Sequence, residues 1–298
     1  MAEPGRGGVP VRVHLNGRLV QESEGVVPVS DRGLLFGDGI FESMRVVQGR
    51  VFRLDRHLAR LRRSAVAIGL ELPDRLADLG RDVAELLRAN RLSDARVRLT
   101  VTRGPGRPGD YLFAPGPPTV LMTAAPFHGL DPALHEQGVP LVVSRRRQVP
   151  PESIDPSIKS ISRLGSVLAR REAGDRGAFE AVLLDMHGHL TEGTASNLFL
   201  VEGGRLRTPP VPEGGLPGVT REAVLELARL EGIDAAEERL PAARLHAAHE
   251  VLLTNASWEV LPAVSVDGKP VGGGEPGPVA RTLLARYRAL LRRECAGD

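Results

Sequence analysis

The chain has 298 residues, enough for two domains of ordinary size, with 42% apolar and 26% charged residues, the balance of a globular protein. No run approaches the ~18 to 20 apolar residues of a membrane span, the first ten residues lack the apolar core of an export signal, and Cys295 as the only cysteine excludes intrachain disulfides and Cys-based zinc sites. Thirty-nine basic residues are interleaved with 37 acidic ones, and seven Phe, two Tyr and one Trp leave little for base stacking, so the expectation is a soluble cytoplasmic protein without nucleic-acid or membrane partners.

Residues 1–10 read as a flexible tail. VRVHLNGRLV reads as a hairpin about Asn16-Gly17, and 40–47 with 50–54 as a second hairpin about Gln48-Gly49. Helices are expected over 55–69 and 76–90, and a strand over 95–102. GPGRPGDYLFAPGPP is too rich in Gly and Pro for regular structure, and a strand returns at 119–124. These elements make a small α/β domain over 11–124, with 125–137 as linker and a larger domain over 138–298. The larger part reads as a strand at 139–144, a loop with Lys159, a helix at 164–173, and strands at 178–185 and 189–201. A Pro/Gly stretch at 208–218 follows, then a helix at 220–231, a strand at 250–255, a hairpin at Asp267-Gly268 and a helix at 279–292. Hairpins outnumber single-helix crossovers, which argues for an α+β fold and against a doubly wound parallel sheet.

Of the 39 basic residues only Lys159 and Lys269 are lysine. An amine can lose its proton and form an imine with an aldehyde, whereas a guanidinium stays protonated. Lys269 follows a hairpin-turn signal and is explained by exposure; Lys159, in SIKSIS between Ile158 and Ile161, is not. Glu192, in LTEGTASNLFLV, is an acid within a strand segment, costly if buried without a partner; a surface hairpin position is the plainer alternative. LPGVT at 216–220 turns straight into a helix, whose free N–H groups and the Thr220 hydroxyl suit a phosphate, or else form an ordinary cap. Lysine, carboxylate and helix start together match what pyridoxal 5'-phosphate requires.

At these residues the chain resembles the class IV, or fold-type IV, pyridoxal-phosphate enzymes: branched-chain aminotransferase, D-amino acid aminotransferase and aminodeoxychorismate lyase. The similarity spans about 11–292, through the segments 31–65, 158–173, 190–199 and 216–224. It implies a two-domain fold with a pseudo-barrel second domain, a homodimer, and amino acid and 2-oxo acid substrates. It also implies Lys159 as the Schiff-base lysine, Glu192 at the pyridine nitrogen, and Arg60, Val219 and Thr220 at the phosphate.

Subfamily signals divide. Branched-chain enzymes usually carry Asn-Tyr where this chain has Arg163-Leu164, and Arg-Leu is frequent in the lyase. Asn255-Ala256 stands where aminotransferases more commonly place Gly-Thr or Ser-Thr against the phosphate. VLARREA, TEG and the Asp267-Gly268-Lys269 hairpin resemble the D-amino acid enzymes, in which Leu34 would replace a tyrosine near the substrate and Arg107 would lie near a carboxylate-binding arginine; a solvated surface charge is the equal alternative for Arg107. Arg163 is a further candidate for a substrate carboxylate, or else caps local carbonyls. An aminotransferase is the leading reading, 4-amino-4-deoxychorismate lyase the alternative, and a non-catalytic binding protein the remote one. His187-Gly188-His189 reads as a turn and not a metal pair, since no third ligand is evident.

Overall fold

The computed structural model describes residues 11–106 and 116–296. The chain divides into two compact units, Met1–Phe127 with Ser160–Ser162 and Cys295–Asp298, and His128–Lys159 with Arg163–Glu294.

In the first unit β1 (Arg12–Leu15) and β2 (Arg18–Gln21) pair antiparallel around Asn16 (φ 49) and Gly17 (φ 86). Both turn residues have positive φ, the backbone of the tight hairpin turn that Asn-Gly favours. Helix α1 (Arg32–Phe36) is capped by the Asp31 side chain, which accepts the Gly33 N–H at 2.7 Å. Strand β3 (Gly39–Val47) turns at Gln48-Gly49 into β4 (Arg50–Val51), and helix α2 (Leu54–Ala67) follows. A 3₁₀ turn at Asp74–Asp78 precedes α3 (Leu79–Ala89), so the helix expected from 76 begins three residues later. Strands β5 (Ala95–Thr102) and β6 (Thr119–Pro126) complete an antiparallel sheet of order β2-β1-β6-β5-β3-β4. Along β5, Ala95, Val97, Leu99 and Val101 are fully buried while Arg96 and Arg98 are exposed, the alternation of a sheet covered on one face.

The second unit begins with helix α4 (Pro132–Gln137), so the segment expected to be a linker carries regular structure, started by the Asp131 cap and Pro132. Strand β7 (Val139–Arg147), helix α5 (Leu164–Asp175) and β8 (Glu180–Leu184) form a parallel crossover. Ala169 and Ala173, one turn apart on α5, let the helix lie close on Val142, Ala181 and Leu183. The strand expected over 189–201 is two strands, β9 (Leu190–Gly193) and β10 (Asn197–Glu202), because Thr194–Ser196 give their polar groups to the Glu180 carboxylate instead of a neighbouring strand. Then come β11 (Arg205–Thr208), helix α6 (Val219–Leu230), β12 (Ala235–Glu237), helix α7 (Ala243–Ala247), β13 (Glu250–Asn255), β14 (Glu259–Val266), β15 (Lys269–Pro270) and helix α8 (Pro278–Cys295). The sheet runs β12-β11-β10-β13-β14-β7-β8-β9, with β15 on β14 and parallel pairs at β11–β12, β14–β7 and β7–β8. Its core joins Leu141, Val182, Leu198, Leu200, Val251, Leu253 and Leu261.

Candidate active site

Three chain segments of the second unit meet at Glu192, near the end of β9. The Leu216 N–H donates to Glu192 Oε2 at 2.8 Å, and Gln148 Nε2 donates to Oε1 at 3.2 Å while holding the Gly214 carbonyl at 2.8 Å. Asn197 Nδ2 lies 3.4 Å from Oε2 and donates to the Leu216 carbonyl at 2.8 Å. The residue keeps some accessible surface, but its carboxyl lies deep. Burial pushes its pKa from the ordinary 4.5 up to about 7, against the opposing pull of the Leu216 N–H, the Arg163 and Lys159 charges and the Gln148 amide. A carboxyl balanced at that value ionises readily when a further positive group arrives.

Lys159 is half-buried in the loop before α5, and Arg163 stands immediately before that helix, donating from Nη2 to the Thr194 carbonyl. Both cations act on Glu192. The structure thus brings Lys159, Arg163 and Glu192 into one charge-coupled group.

Helix α6 starts beside them. Its N-cap Gly218 has no side chain to cap with, and Val219, Thr220 and Arg221 are all buried. A buried helix start whose N-cap supplies no side-chain acceptor offers backbone N–H groups and a positive dipole end, which suits an anion. The approach to Glu192 is tight: a Cβ on Gly218 would meet Asn197 Oδ1 at 2.0 Å. The Thr220 hydroxyl lies 3.4 Å from that of the buried Tyr287, and the Thr254 hydroxyl, on the strand facing Asn197, is buried without a hydrogen-bond partner. Amine, carboxyl and uncapped helix start are the donor set that pyridoxal phosphate needs, and the residues fit the group.

Asn255 and Ala256 occupy the turn between β13 and β14. Asn255 Oδ1 accepts the Ser257 and Trp258 N–H groups at 2.8 and 2.7 Å, and its Nδ2 donates to the Ala195 carbonyl at 2.9 Å, so this side chain is committed to the turn. Among the remaining candidates, Arg60 belongs to the first unit. His57, Arg60, Leu61 and Ser64 share the buried face of α2, and Arg60 forks onto Glu42 of β3 at 2.9 and 2.6 Å while His57 Nδ1 lies 2.7 Å from the same carboxylate. Burial alone would raise Glu42, but Arg60 and His57 more than reverse it and hold the carboxyl at about 2. Leu34, also in the first unit, is 68% exposed on α1, and Arg107 lies outside the described residues. His189 pairs with Asp185 at 3.0 Å in the β8–β9 turn. Among the described residues the His/Asp/Glu group close enough for a cation is His14, Asp82 and Glu85 in the first unit, away from any sequence motif. Sequence reasoning also missed Gln148, Asn197, Glu42 and Glu180, polar residues that carry no motif of their own.

The mixed sheet, the lysine loop and the buried carboxyl beside a helix start define a fold-type IV pyridoxal-phosphate enzyme. The chain belongs to the class IV aminotransferases, whose family model matches residues 39–266. A Methanocaldococcus jannaschii protein with a provisional branched-chain-amino-acid aminotransferase name is 38% identical over 280 residues, 94% of this chain and 96% of its own. The D-alanine aminotransferase of Bacillus licheniformis is 35% identical over 287 residues, 96% of this chain and 99% of its own. The branched-chain amino acid aminotransferase of Escherichia coli, a solved structure, superposes with a TM-score of 0.91 at 30% identity over 97% of each chain. The protein is an enzyme that moves an amino group from an amino acid to a 2-oxo acid with pyridoxal 5'-phosphate, and the lyase alternative is not favoured.

Proposed function

We propose that Lys159 holds the cofactor covalently and carries the proton, that Glu192 keeps the ring nitrogen protonated, and that the Val219 and Thr220 N–H groups with the Thr220 hydroxyl hold the phosphate. The observation that carries this reading is geometric: the Glu192 carboxyl accepts the Leu216 N–H at 2.8 Å just before the start of α6 and lies within the field of the Lys159 and Arg163 charges. When bound, the cofactor supplies a ring that draws off the charge left at the substrate α-carbon. The Lys159 amine takes the proton from that carbon and returns it at the cofactor's C4′, as general base and then acid. Glu192, ionised once a protonated nitrogen faces it, keeps that proton in place. The Ala256 backbone adds to the phosphate site, the Asn255 side chain being spent on its turn, and the match to the family pattern brings in Arg60, its fork fixed by Glu42. Leu34 and Arg107 are assigned to the substrate by resemblance alone, and Arg163, which also donates to the Thr194 carbonyl, is the further candidate for its carboxylate.

The donor we propose is a neutral aliphatic amino acid, the property common to the branched-chain and D-alanine enzymes that the chain resembles. Adding L-leucine, D-alanine and L-glutamate separately to the purified holoenzyme, while the visible spectrum is recorded, tests this. Conversion to the pyridoxamine form by L-leucine or D-alanine supports it and sets the hand of the donor. Conversion by L-glutamate alone refutes the aliphatic assignment. A homodimer is proposed on the family resemblance and on the exposed Leu34, Leu35 and Phe36 of α1 with nearby Val26 and Val29. Sedimentation equilibrium giving a monomer of 32.0 kDa would refute it.

A further inference from the structure

We infer that Glu180, a residue of β8 outside every motif of the site, is a positioning residue that fixes the turn on which Glu192 and Arg163 depend. Its side chain is fully buried. Oε1 accepts the Thr194 hydroxyl at 2.6 Å and the Ala181 N–H at 2.9 Å, and lies 3.2 Å from Arg170 Nη1. Oε2 accepts the Ala195 N–H and the Ser196 hydroxyl, each at 3.3 Å. One carboxylate therefore holds all three residues of the turn between β9 and β10.

What that turn carries is the site. Glu192-Gly193 lead into it and Asn197 leads out, so its shape sets where Asn197 meets Glu192 and Leu216. Its carbonyls are acceptors too: Thr194 takes Arg163 Nη2, and Ala195 takes Asn255 Nδ2. The packing leaves no slack, since a Cβ on Gly193 would meet Ser196 Oγ at 2.3 Å and Glu180 Oε2 at 3.1 Å. A neutral amide at 180 retains one acceptor but sets its NH₂ donor against other donors, the Ala195 N–H or Arg170, and removes the charge that Arg170 balances. The turn then loosens and Arg163 loses its fixed acceptor. The charged groups that face Glu192 are Arg163 and Lys159, so a displaced Arg163 leaves the ionised carboxyl less supported.

The inference rests on the proposed role of Glu192 at the ring nitrogen. The test measures the affinity of wild type, Glu180→Gln, Glu192→Gln and Glu250→Gln for pyridoxamine phosphate between pH 5.5 and 9, with melting temperatures. Glu250 is the control, a buried carboxylate that accepts the Val279 and Ala280 N–H groups at 3.1 and 2.8 Å to hold the start of α8. The expected result is an affinity about tenfold weaker near neutral pH for Glu180→Gln, the loss of about one charge-assisted hydrogen bond's worth of positioning. The acid limb of its profile moves to higher pH, while Glu250→Gln melts lower and keeps the wild-type profile. If both variants lose affinity only in step with melting temperature, the positioning role is refuted. A Glu180→Gln profile equal to wild type, beside a changed Glu192→Gln profile, refutes it alone. An unchanged Glu192→Gln profile refutes the reading of Glu192 and this inference with it. Should Glu180→Gln not fold, Thr194→Val and Ser196→Ala remove single donors and are expected to shift the profile the same way by less; wild-type profiles in both would overturn the proposal.

Discussion

Replacing Glu192 with Gln is expected to stabilise the cofactor-free protein at alkaline pH while it disables the enzyme. Raising a carboxyl from 4.5 to about 7 corresponds to about 3 kcal/mol between its two protonation states. The sign follows from proton counting. Between those two pH values the folded protein holds a proton that the unfolded chain has released, so stability falls as pH rises through this window and the full cost is reached above pH 7. A glutamine cannot ionise and escapes that cost. It gives part of the gain back, because one of its two terminal atoms is a donor and cannot accept from the Leu216 N–H or from Gln148; that loss is worth about 1–2 kcal/mol. The net expectation is about 1–2 kcal/mol of added stability at pH 8.5 and a loss of about 1–2 kcal/mol at pH 4.5, where wild type is protonated as well. Urea unfolding of the cofactor-free forms across pH 4.5–9, followed by far-UV circular dichroism, reads both ends. In the holoenzyme the same variant is expected to turn over on the order of 10² to 10³ times more slowly, the scale of losing one preorganised electrostatic group. Wild-type stability flat between pH 5 and 8, or a variant no more stable than wild type at pH 8.5, would refute the deep, desolvated placement of this carboxyl.

Lys159→Ala is expected to abolish both the visible band of the covalently held cofactor and transamination; single-turnover spectroscopy with donor amino acid checks it, and retained activity would be fatal to the assigned role. Arg60→Ala leaves the Glu42 charge buried beside His57 alone and is expected to cost about 3–5 kcal/mol, read by unfolding at pH 7. In wild type the support that Arg60 and His57 give Glu42 is present above pH 4.5 and is lost as pH falls towards about 2, so the acid limb of the unfolding profile is expected to flatten in Arg60→Ala. Gly218→Ala drives a methyl into Asn197 Oδ1; overpacking of this kind costs about 1–3 kcal/mol. Its displacement of Asn197 from Glu192 is expected to weaken pyridoxamine phosphate binding, and unchanged affinity by titration would refute the close approach.

The local elements were legible because their causes are local. Asn16-Gly17, Gln48-Gly49 and Asp267-Gly268 take positive φ at both positions and close their hairpins where the residue types require. The alternation in 95–102 and the apolar spacing of 55–67 mark their strand and helix for the same reason. Strand β14 was not read: it contains Pro262, which argues against a central strand, and the sheet accommodates it because pairing with β7 begins only at Ala263. The break between β9 and β10 was equally hidden, since its cause is a carboxylate 14 to 16 residues away.

By itself the sequence determined the cofactor chemistry: one unexplained lysine in an arginine-rich chain, an acid within a strand, a glycine-led helix start, and the family pattern that orders them. Only the tertiary structure decided how those groups are tuned. The raised Glu192 carboxyl, the Arg60–Glu42 fork and the Glu180-held turn each depend on burial and on partners brought together from separate stretches of chain. A pKa or a buried hydrogen bond is a property of an environment, and the environment exists only once the sheet has closed around it.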